Sequence, residues 1–195
     1  LVEALDGPAV RAIDHGIAAQ RACKGAGEIE AIERALAVGE AAFEALRRSL
    51  SPEQCEREIA ARLEYEMRLR GAEGAAFPTI VAAGANAALP HAVPGETVVG
   101  RGGVLLIDFG ARVGGYCGDM TRMLALGPLP EPVGTIYDVV LEAQQAAIEA
   151  IRPGVTGREV DRVARSVIEN AGYGERFAHG LGHGLGLDVH EAPRL

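Results

Sequence analysis

Residues 103–122, GVLLIDFGARVGGYCGDMTR, place two aspartates eleven positions apart on either side of a diglycine. Asp108 comes directly after a continuous apolar run, of the kind found in strands that are buried on both faces. A carboxylate in such a strand costs several kcal/mol unless another group compensates its charge. Gly114-Gly115 is a common choice for a two-residue hairpin turn, since glycine adopts positive φ without strain. The stretch therefore predicts a β-hairpin that carries an acidic group into the interior.

The register of this hairpin decides where the second acid lies. If Val113 pairs with Tyr116, Asp108 lies opposite Thr121 and diagonal to Asp119. Side chains alternate along strands, so both carboxylates then share one face, about 7–8 Å apart at the backbone. A one-residue bulge in the turn would place the two acids on opposite faces.

Two kinds of partner could compensate the carboxylates. One is a cation held between them, or a pair of metal ions about 3.5–4 Å apart. The other is a buried ion pair with Arg112 or Arg122. The spacing of Asp108 and Asp119 alone does not separate these alternatives.

Histidines favour the metal site. Residues 179–191, HGLGHGLGLDVHE, contain His179, His183 and His190, and His91 lies in a proline-flanked loop before the Asp108 strand. Imidazole is the most frequent side-chain ligand of first-row metals near neutral pH. Interleaved glycines let the backbone approach a site closely. The alternative is a glycine-rich surface loop with incidental histidines.

The order of the predicted elements repeats, which indicates an α+β domain of two similar halves, the second truncated. Each half begins with two amphipathic helices, the second of which opens on a predicted capping box, and continues with strands. The predicted helices are 28–50, 51–71, 133–151 and 156–172, and the predicted strands are 77–83, 103–113, 116–126 and a further one from about 177.

Composition excludes several classes of function. The chain has 195 residues, of which 48% are hydrophobic, and a formal net charge of −8 without a basic run. This balance argues against nucleic-acid binding. No apolar segment reaches the roughly eighteen residues of a membrane span, and no signal peptide is evident. Three widely spaced cysteines suggest a reducing compartment, so we expect a cytoplasmic protein.

With these motifs, the sequence resembles the metallopeptidases of the pita-bread fold, which include aminopeptidase P, prolidase and methionine aminopeptidase. The resemblance covers about Gly25 to Leu195 and is most specific at 107–110, 115–122 and 179–191. It implies that residues 1–22 are the tail of a preceding amino-terminal domain. Residues 23–195 would form the catalytic domain, without its carboxyl-terminal end.

The resemblance also implies a metal centre. Asp108 and Asp119 match the two aspartate ligands of the family, with Asp119 bridging the metals, and His183 matches its histidine ligand. Two divalent ions are expected, manganese first, with cobalt or zinc as alternatives. Two further glutamate ligands are expected beyond Leu195. We therefore expect these 195 residues alone to bind metal poorly and to be inactive.

Three further histidines match residues of the substrate site. His91 and His190 resemble the residues that line the substrate and steady the reacting carbonyl. His179 matches a histidine of the prolidase and aminopeptidase P branch and favours that branch over methionine aminopeptidase. Two positions depart from the usual pattern: Gly118 stands in place of serine, and Met123 in place of threonine.

The function implied is dinuclear metal-dependent hydrolysis of a peptide bond that precedes proline. The substrate would be a peptide with proline at its second position, and the enzyme an Xaa-Pro aminopeptidase or dipeptidase, expected to be a homodimer in the parent protein. The alternatives are methionine aminopeptidase, a metal-independent hydrolase of the creatinase type, and a pita-bread module that binds without catalysis. The presence of both aspartates disfavours the last two.

Overall fold

The computed structural model describes residues 14–129 and 131–195. The predicted order of two helices followed by strands occurs twice, and a helix that was not predicted, Asp14–Ala22, precedes it; two short 3₁₀ helices lie at Gly84–Ala88 and Gly174–Arg176. The helices are α1 (Asp14–Ala22), α2 (Ala26–Arg47), α3 (Glu56–Leu69), α4 (Val133–Ala150) and α5 (Gly157–Asn170). The strands are β1 (Gly74–Ala75), β2 (Ile80–Ala83), β3 (Val104–Phe109), β4 (Ala111–Val113), β5 (Tyr116–Cys117), β6 (Met120–Ala125), β7 (His183–Gly184) and β8 (Glu191–Arg194).

The predicted hairpin is present in the predicted register. Val113 pairs with Tyr116 at the turn, and Asp108 pairs with Thr121 farther along. No extra residue enters either strand between these pairs, so Asp119 lies diagonal to Asp108 as predicted. The hairpin contributes to two antiparallel three-stranded sheets, with orders β2-β3-β6 and β1-β4-β5.

The change from one sheet to the other occurs at two facing glycines. A β-carbon on Gly110 would lie 1.8 Å from the carbonyl oxygen of Gly118. The Gly118 amide donates to the carbonyl of Ala111 at 2.8 Å, and its α-carbon faces the α2 backbone at Ala35. Glycine is therefore required at both positions, because the two strands approach each other closely there and Gly118 also lies against the α2 backbone. This close approach divides the predicted strand 103–113 into β3 and β4.

The main core lies between the sheets and helices α2 and α3. Apolar side chains from α2, α3 and β3 are fully buried there, and the Phe43 and Phe109 rings stack at 5.5 Å. The helical period of the sequence placed Ile29 and Leu69 on the apolar faces of the first two predicted helices, but both are exposed. Ile29 lies in the first turn of α2 and Leu69 is the last residue of α3.

The predicted start of α3 is wrong. Residues 51–54 form a turn, and the helix begins at Glu56, with Cys55 as the N-cap residue. The Glu58 carboxylate accepts a hydrogen bond from the Cys55 amide at 2.9 Å. The segment before the helix is held extended, because Cys55 bridges Val98 and the Gln54 carbonyl accepts from Val99. This pairing with a distant segment outweighs the local capping pattern.

Helices α4 and α5 form a second, smaller core. The capping box predicted at Thr156 is present, with the Glu159 amide donating to its hydroxyl at 3.3 Å. Ala143 and Ala147 are buried against α5, so the two helices approach closely. Other residues of the predicted apolar side of α4 are exposed, because α5 covers only the alanine face; they are Ile136, Val140 and Ile151.

The strand predicted from about Phe177 begins only at His183. The second 3₁₀ helix ends at Arg176, residues 177–182 have no regular secondary structure, and Phe177 packs its ring under the Arg165 guanidinium at 4.5 Å. Among the described residues, no helix combines the length and the apolar composition that a membrane crossing would need.

Candidate metal centre

A cleft of about 540 Å³ opens beside the hairpin. Four segments that are distant in sequence form its walls: the start of β2, the loop that follows it, the β3–β6 hairpin and the glycine-rich loop after α5. Five of the six predicted site residues line this cleft, namely His91, Asp108, Asp119, His183 and His190. The remaining lining residues are mostly apolar and include Phe77, Pro78, Ile80, Pro90, Val93 and Val189.

Both aspartates are half-buried, and their charges are largely uncompensated by protein cations. Burial is the main cause that raises the pKa of Asp108 and of Asp119 above the ordinary range. The proximity of Asp119 raises the pKa of Asp108 further, whereas a hydrogen bond from Thr121 Oγ1 to Asp108 Oδ1, 2.9 Å long, lowers it. Two nearby acids in a low-dielectric wall favour either protonation or a bound cation.

The alternative of a buried ion pair between an aspartate and Arg112 or Arg122 is not observed in the described part of the chain. Arg122 is exposed and donates to the carbonyl of Thr121 at 3.0 Å. Arg112 is also exposed, and neither arginine forms an ion pair with Asp108 or Asp119 in residues 14–129 and 131–195. The carboxylates therefore face the cleft rather than a buried guanidinium.

His183 presents a nitrogen lone pair to the acids. Its Nδ1 lies 3.0 Å from the carbonyl oxygen of Gly184, and because that oxygen only accepts, Nδ1 carries the proton. Nε2 is then unprotonated in the neutral ring and lies 3.6 Å from Asp119 Oδ2. A backbone carbonyl that fixes the tautomer of an imidazole is the usual outer partner of a metal-binding histidine.

The other histidines occupy different places. His190 packs its ring against that of His183, with centroids 4.2 Å apart, and lies at the mouth of the cleft. His91 is exposed and lines the same cleft from the loop after β2. His179 is not among the lining residues; its Nδ1 contacts the carbonyl of Gly180 at 2.8 Å and its ring meets the edge of Phe177.

The donor set suits a divalent cation but is incomplete. In the residues that the structure describes, no group of three His, Cys, Asp or Glu side chains is close enough to hold a metal ion unaided. Asp108, Asp119 and His183 nevertheless offer desolvated carboxylate oxygens and one imidazole nitrogen toward the same cleft. That combination fits hard or borderline divalent ions.

Two buried glutamates close to the site were not predicted. Glu56 binds the loop that carries His91, and Glu191, next to His190, is bonded to Arg21 and Lys24. The partners of the Glu56 side chain and the two cations paired with Glu191 lie 27 or more residues away in sequence, whereas the Asp188 amide, which also donates to Glu191, is close. A local pattern therefore gave no signal for the contacts of Glu56 or for the ion pairs of Glu191, although Glu191 follows a predicted site histidine directly.

Comparison with known proteins identifies the family. The model of metallopeptidase family M24 matches residues 30–195. The chain belongs to this family. An Xaa-Pro dipeptidase of Pyrococcus furiosus is 44% identical to this M24 chain over 183 residues, which is 94% of the chain and 53% of that protein. The chain thus spans about half the length of the curated relatives that it matches.

Solved structures give the same assignment. The M24 chain superposes on an X-Pro aminopeptidase of Thermotoga maritima with a TM-score of 0.90 and 47% identity, covering 93% of this chain and 52% of that one. The prolidase of Pyrococcus furiosus also gives a TM-score of 0.90, at 44% identity, with 93% and 54% covered. These similarities confirm the pita-bread fold that the motifs implied.

Proposed function

We propose that this chain contributes the aspartate and histidine ligands of a dinuclear metal centre in a peptidase that cleaves before proline. The observation that carries the proposal is the convergence of Asp108, Asp119 and His183 on one cleft, where no lysine or arginine of the described residues pairs with the acids. The names of the relatives, Xaa-Pro dipeptidase, X-Pro aminopeptidase and prolidase, support the substrate class.

The proposed chemistry assigns metal binding to one set of side chains in the cleft and hydrogen bonding to the substrate to another. Asp108, Asp119 and His183 would hold divalent ions, which lower the pKa of bound water and so supply hydroxide near neutral pH. His190 and His91, which also line the cleft, would donate hydrogen bonds to the oxygen that gains negative charge as the carbonyl is attacked. One such donor is worth about 3–4 kcal/mol of barrier in other hydrolases.

The remaining predictions about the parent protein belong to this proposal. They are manganese as the native metal, two ions per site, a role for His179 in the substrate site, a homodimer and a cytoplasmic location. Carboxylate-rich ligation with a single imidazole is the basis for preferring manganese.

The test uses the gene product that carries these residues, freed of metal and then supplied with manganese. We expect hydrolysis of Ala-Pro peptides and none of Met-Ala, with activity lost on chelation and restored by manganese. Cleavage of Ala-Pro-Ala as well as Ala-Pro would indicate an aminopeptidase rather than a dipeptidase. Cleavage of Met-Ala alone would replace the proposal with methionine aminopeptidase, and no metal-dependent cleavage of either would leave a binding module.

A further inference from the structure

Glu56, the first residue of α3, is a buried carboxylate whose partners all come from one distant loop. Its side chain is almost entirely inaccessible, with 1% of the residue exposed. Oε1 accepts from the Ala83 amide and from Asn86 Nδ2, both at 2.8 Å, and Oε2 accepts from the Gly95 amide at 3.0 Å. A buried carboxylate costs several kcal/mol unless its hydrogen bonds are satisfied, so these three contacts are required for it to remain charged.

The amides alone stabilise this charge. In the described part of the chain, no lysine or arginine pairs with Glu56. Burial disfavours the ionised form, yet the three donors outweigh it and lower the pKa of Glu56. Glu66, on the same helix and also buried, differs in this respect, because it pairs with Arg62 and Arg70. Glu56 thus accepts hydrogen bonds from amide groups in fixed positions, and it does not pair with a flexible arginine side chain as Glu66 does.

These amide groups belong to the loop that carries His91. Ala83 and Asn86 precede His91, and Gly95 follows it, so one carboxylate joins both ends of the loop. The Arg57 amide also donates to the Gly95 carbonyl at 3.0 Å, which holds the second end on the start of α3. Residues 90–94, between the two ends, form one wall of the cleft.

We infer that Glu56 is a positioning residue, which acts through His91 and the 90–94 wall and does not touch the substrate. This inference rests on the proposed function of the cleft. If an end of the loop is released from Glu56, His91 is displaced from the place where it would meet the reacting carbonyl. Misplacement of a catalytic group by about 1 Å can lower a rate by about 100-fold.

A double-mutant cycle in the metal-loaded gene product tests the inference. Glu56→Gln keeps an acceptor for Ala83 and Asn86 but turns an NH₂ group toward the Gly95 amide, so that bond is lost. We expect Glu56→Gln to lower kcat/KM for an Ala-Pro substrate by about 10- to 100-fold, similar to His91→Ala. The double variant should be no slower than His91→Ala alone, because both changes remove the same contribution.

Glu66→Gln is the matched control, since it alters an equally buried glutamate of the same helix away from the cleft. It should reduce the unfolding midpoint while leaving kcat/KM of the folded protein within about twofold of wild type. The inference is overturned if Glu56→Gln affects kcat/KM no more than Glu66→Gln does, or if the losses from Glu56→Gln and His91→Ala multiply.

Hydrogen exchange separates this inference from the proposed function. Amides of residues 84–95 should exchange faster in Glu56→Gln than in wild type and should be unchanged in Glu66→Gln. If the wild-type protein does not cleave Xaa-Pro bonds, the proposed function fails, and the exchange result still decides whether Glu56 holds the loop. Equal exchange in both variants would reject that role.

Discussion

At the scale of single residues, the candidate centre contains two half-buried acids, Asp108 and Asp119, whose burial is explained if a ligand compensates their charge. Asp108 and Asp119 are half-buried with raised pKa values and lack a guanidinium partner in the described chain. Natural cores seldom keep such groups unless a ligand compensates their charge. His183, with its proton fixed on Nδ1 by Gly184, adds a nitrogen donor beside them.

The Thr121 hydroxyl orients the Asp108 carboxylate. Replacement of Thr121 by valine removes this hydroxyl and keeps the shape of the side chain. We expect Thr121→Val to weaken manganese binding by the gene product about 10- to 100-fold, because the contact to Asp108 Oδ1 at 2.9 Å is lost. Titration calorimetry measures the affinity. Thr135→Val, an exposed threonine on α4, is the control and should have no effect. Equal affinity in Thr121→Val and wild type would show that the hydroxyl does not orient the ligand.

The residues of the site could be predicted to different extents. The apolar run, the diglycine and the strand period placed Asp108 opposite Thr121, and these signals are local. Glu56 and Glu191 could not be found in this way, since their burial depends on backbone amides or cations that the fold brings from far along the chain.

At the scale of elements, the hairpin places the two acids of the candidate centre where it changes sheets, at Gly110 and Gly118. The chain leaves β3 after Asp108 and Phe109, and it enters β6 directly after Asp119, so both acids lie beside the crossover. The Gly118 carbonyl would be 1.8 Å from a β-carbon on Gly110, which leaves no room for any other residue.

Gly110→Ala should therefore destabilise the protein by about 1–3 kcal/mol or more, since the clash is with backbone that cannot move aside. Urea unfolding measures the change. Gly27→Ala, in the first turn of α2 with no atom within 4 Å of the new β-carbon, is the control and should be neutral or slightly stabilising. A neutral Gly110→Ala would mean that the strands are not this close.

Prediction of the elements succeeded where local periodicity decides and failed where distant pairing does. The long helices follow from side-chain spacing, whereas the hairpin register was one of two alternatives until the pairing of Val113 with Tyr116 decided it. The start of α3 was placed too early, because the pairing of Cys55 with Val98 keeps the preceding residues extended. The strand break at Gly110 was also missed, since it depends on where Gly118 and α2 meet the strand.

At the scale of the whole molecule, α1 is attached to the loop that carries His190. Arg21 pairs with Asp188 and Glu191, and Lys24 Nζ lies 3.0 Å from Glu191 Oε2. The Asp188 amide donates to Glu191 as well, at 2.9 Å. The amino-terminal helix and the end of the glycine-rich loop are thus joined through one buried carboxylate.

This attachment predicts a pH-dependent contribution to stability. Burial raises the pKa of Glu191, but bonds from the Asp188 amide, Arg21 and Lys24 outweigh it and lower the pKa from 4.5 to about 2. The folded state therefore favours the ionised form. The resulting contribution, of the order of 1–3 kcal/mol, is complete above about pH 5 and is lost as the pH falls toward 2.

Urea unfolding of wild type and Glu191→Gln at pH 7 and pH 3 measures this contribution. The difference in free energy of unfolding should be large at pH 7 and about half as large, or less, at pH 3. Glu44→Gln, which breaks an exposed pair with Arg47, is the control and should differ little from wild type at either pH. A Glu191→Gln difference that does not change with pH would show that the carboxylate is not stabilised by charge.

The most direct test of the metal centre is the metal content of the gene product, measured by mass spectrometry after equilibration with manganese and removal of free ions. We predict two ions per chain in the wild type and in Asp138→Asn, an exposed aspartate on α4. Asp119→Asn should retain one ion or none, because the bridging carboxylate is lost. Full retention of both ions by Asp119→Asn would contradict the assignment of Asp119 as the bridging ligand.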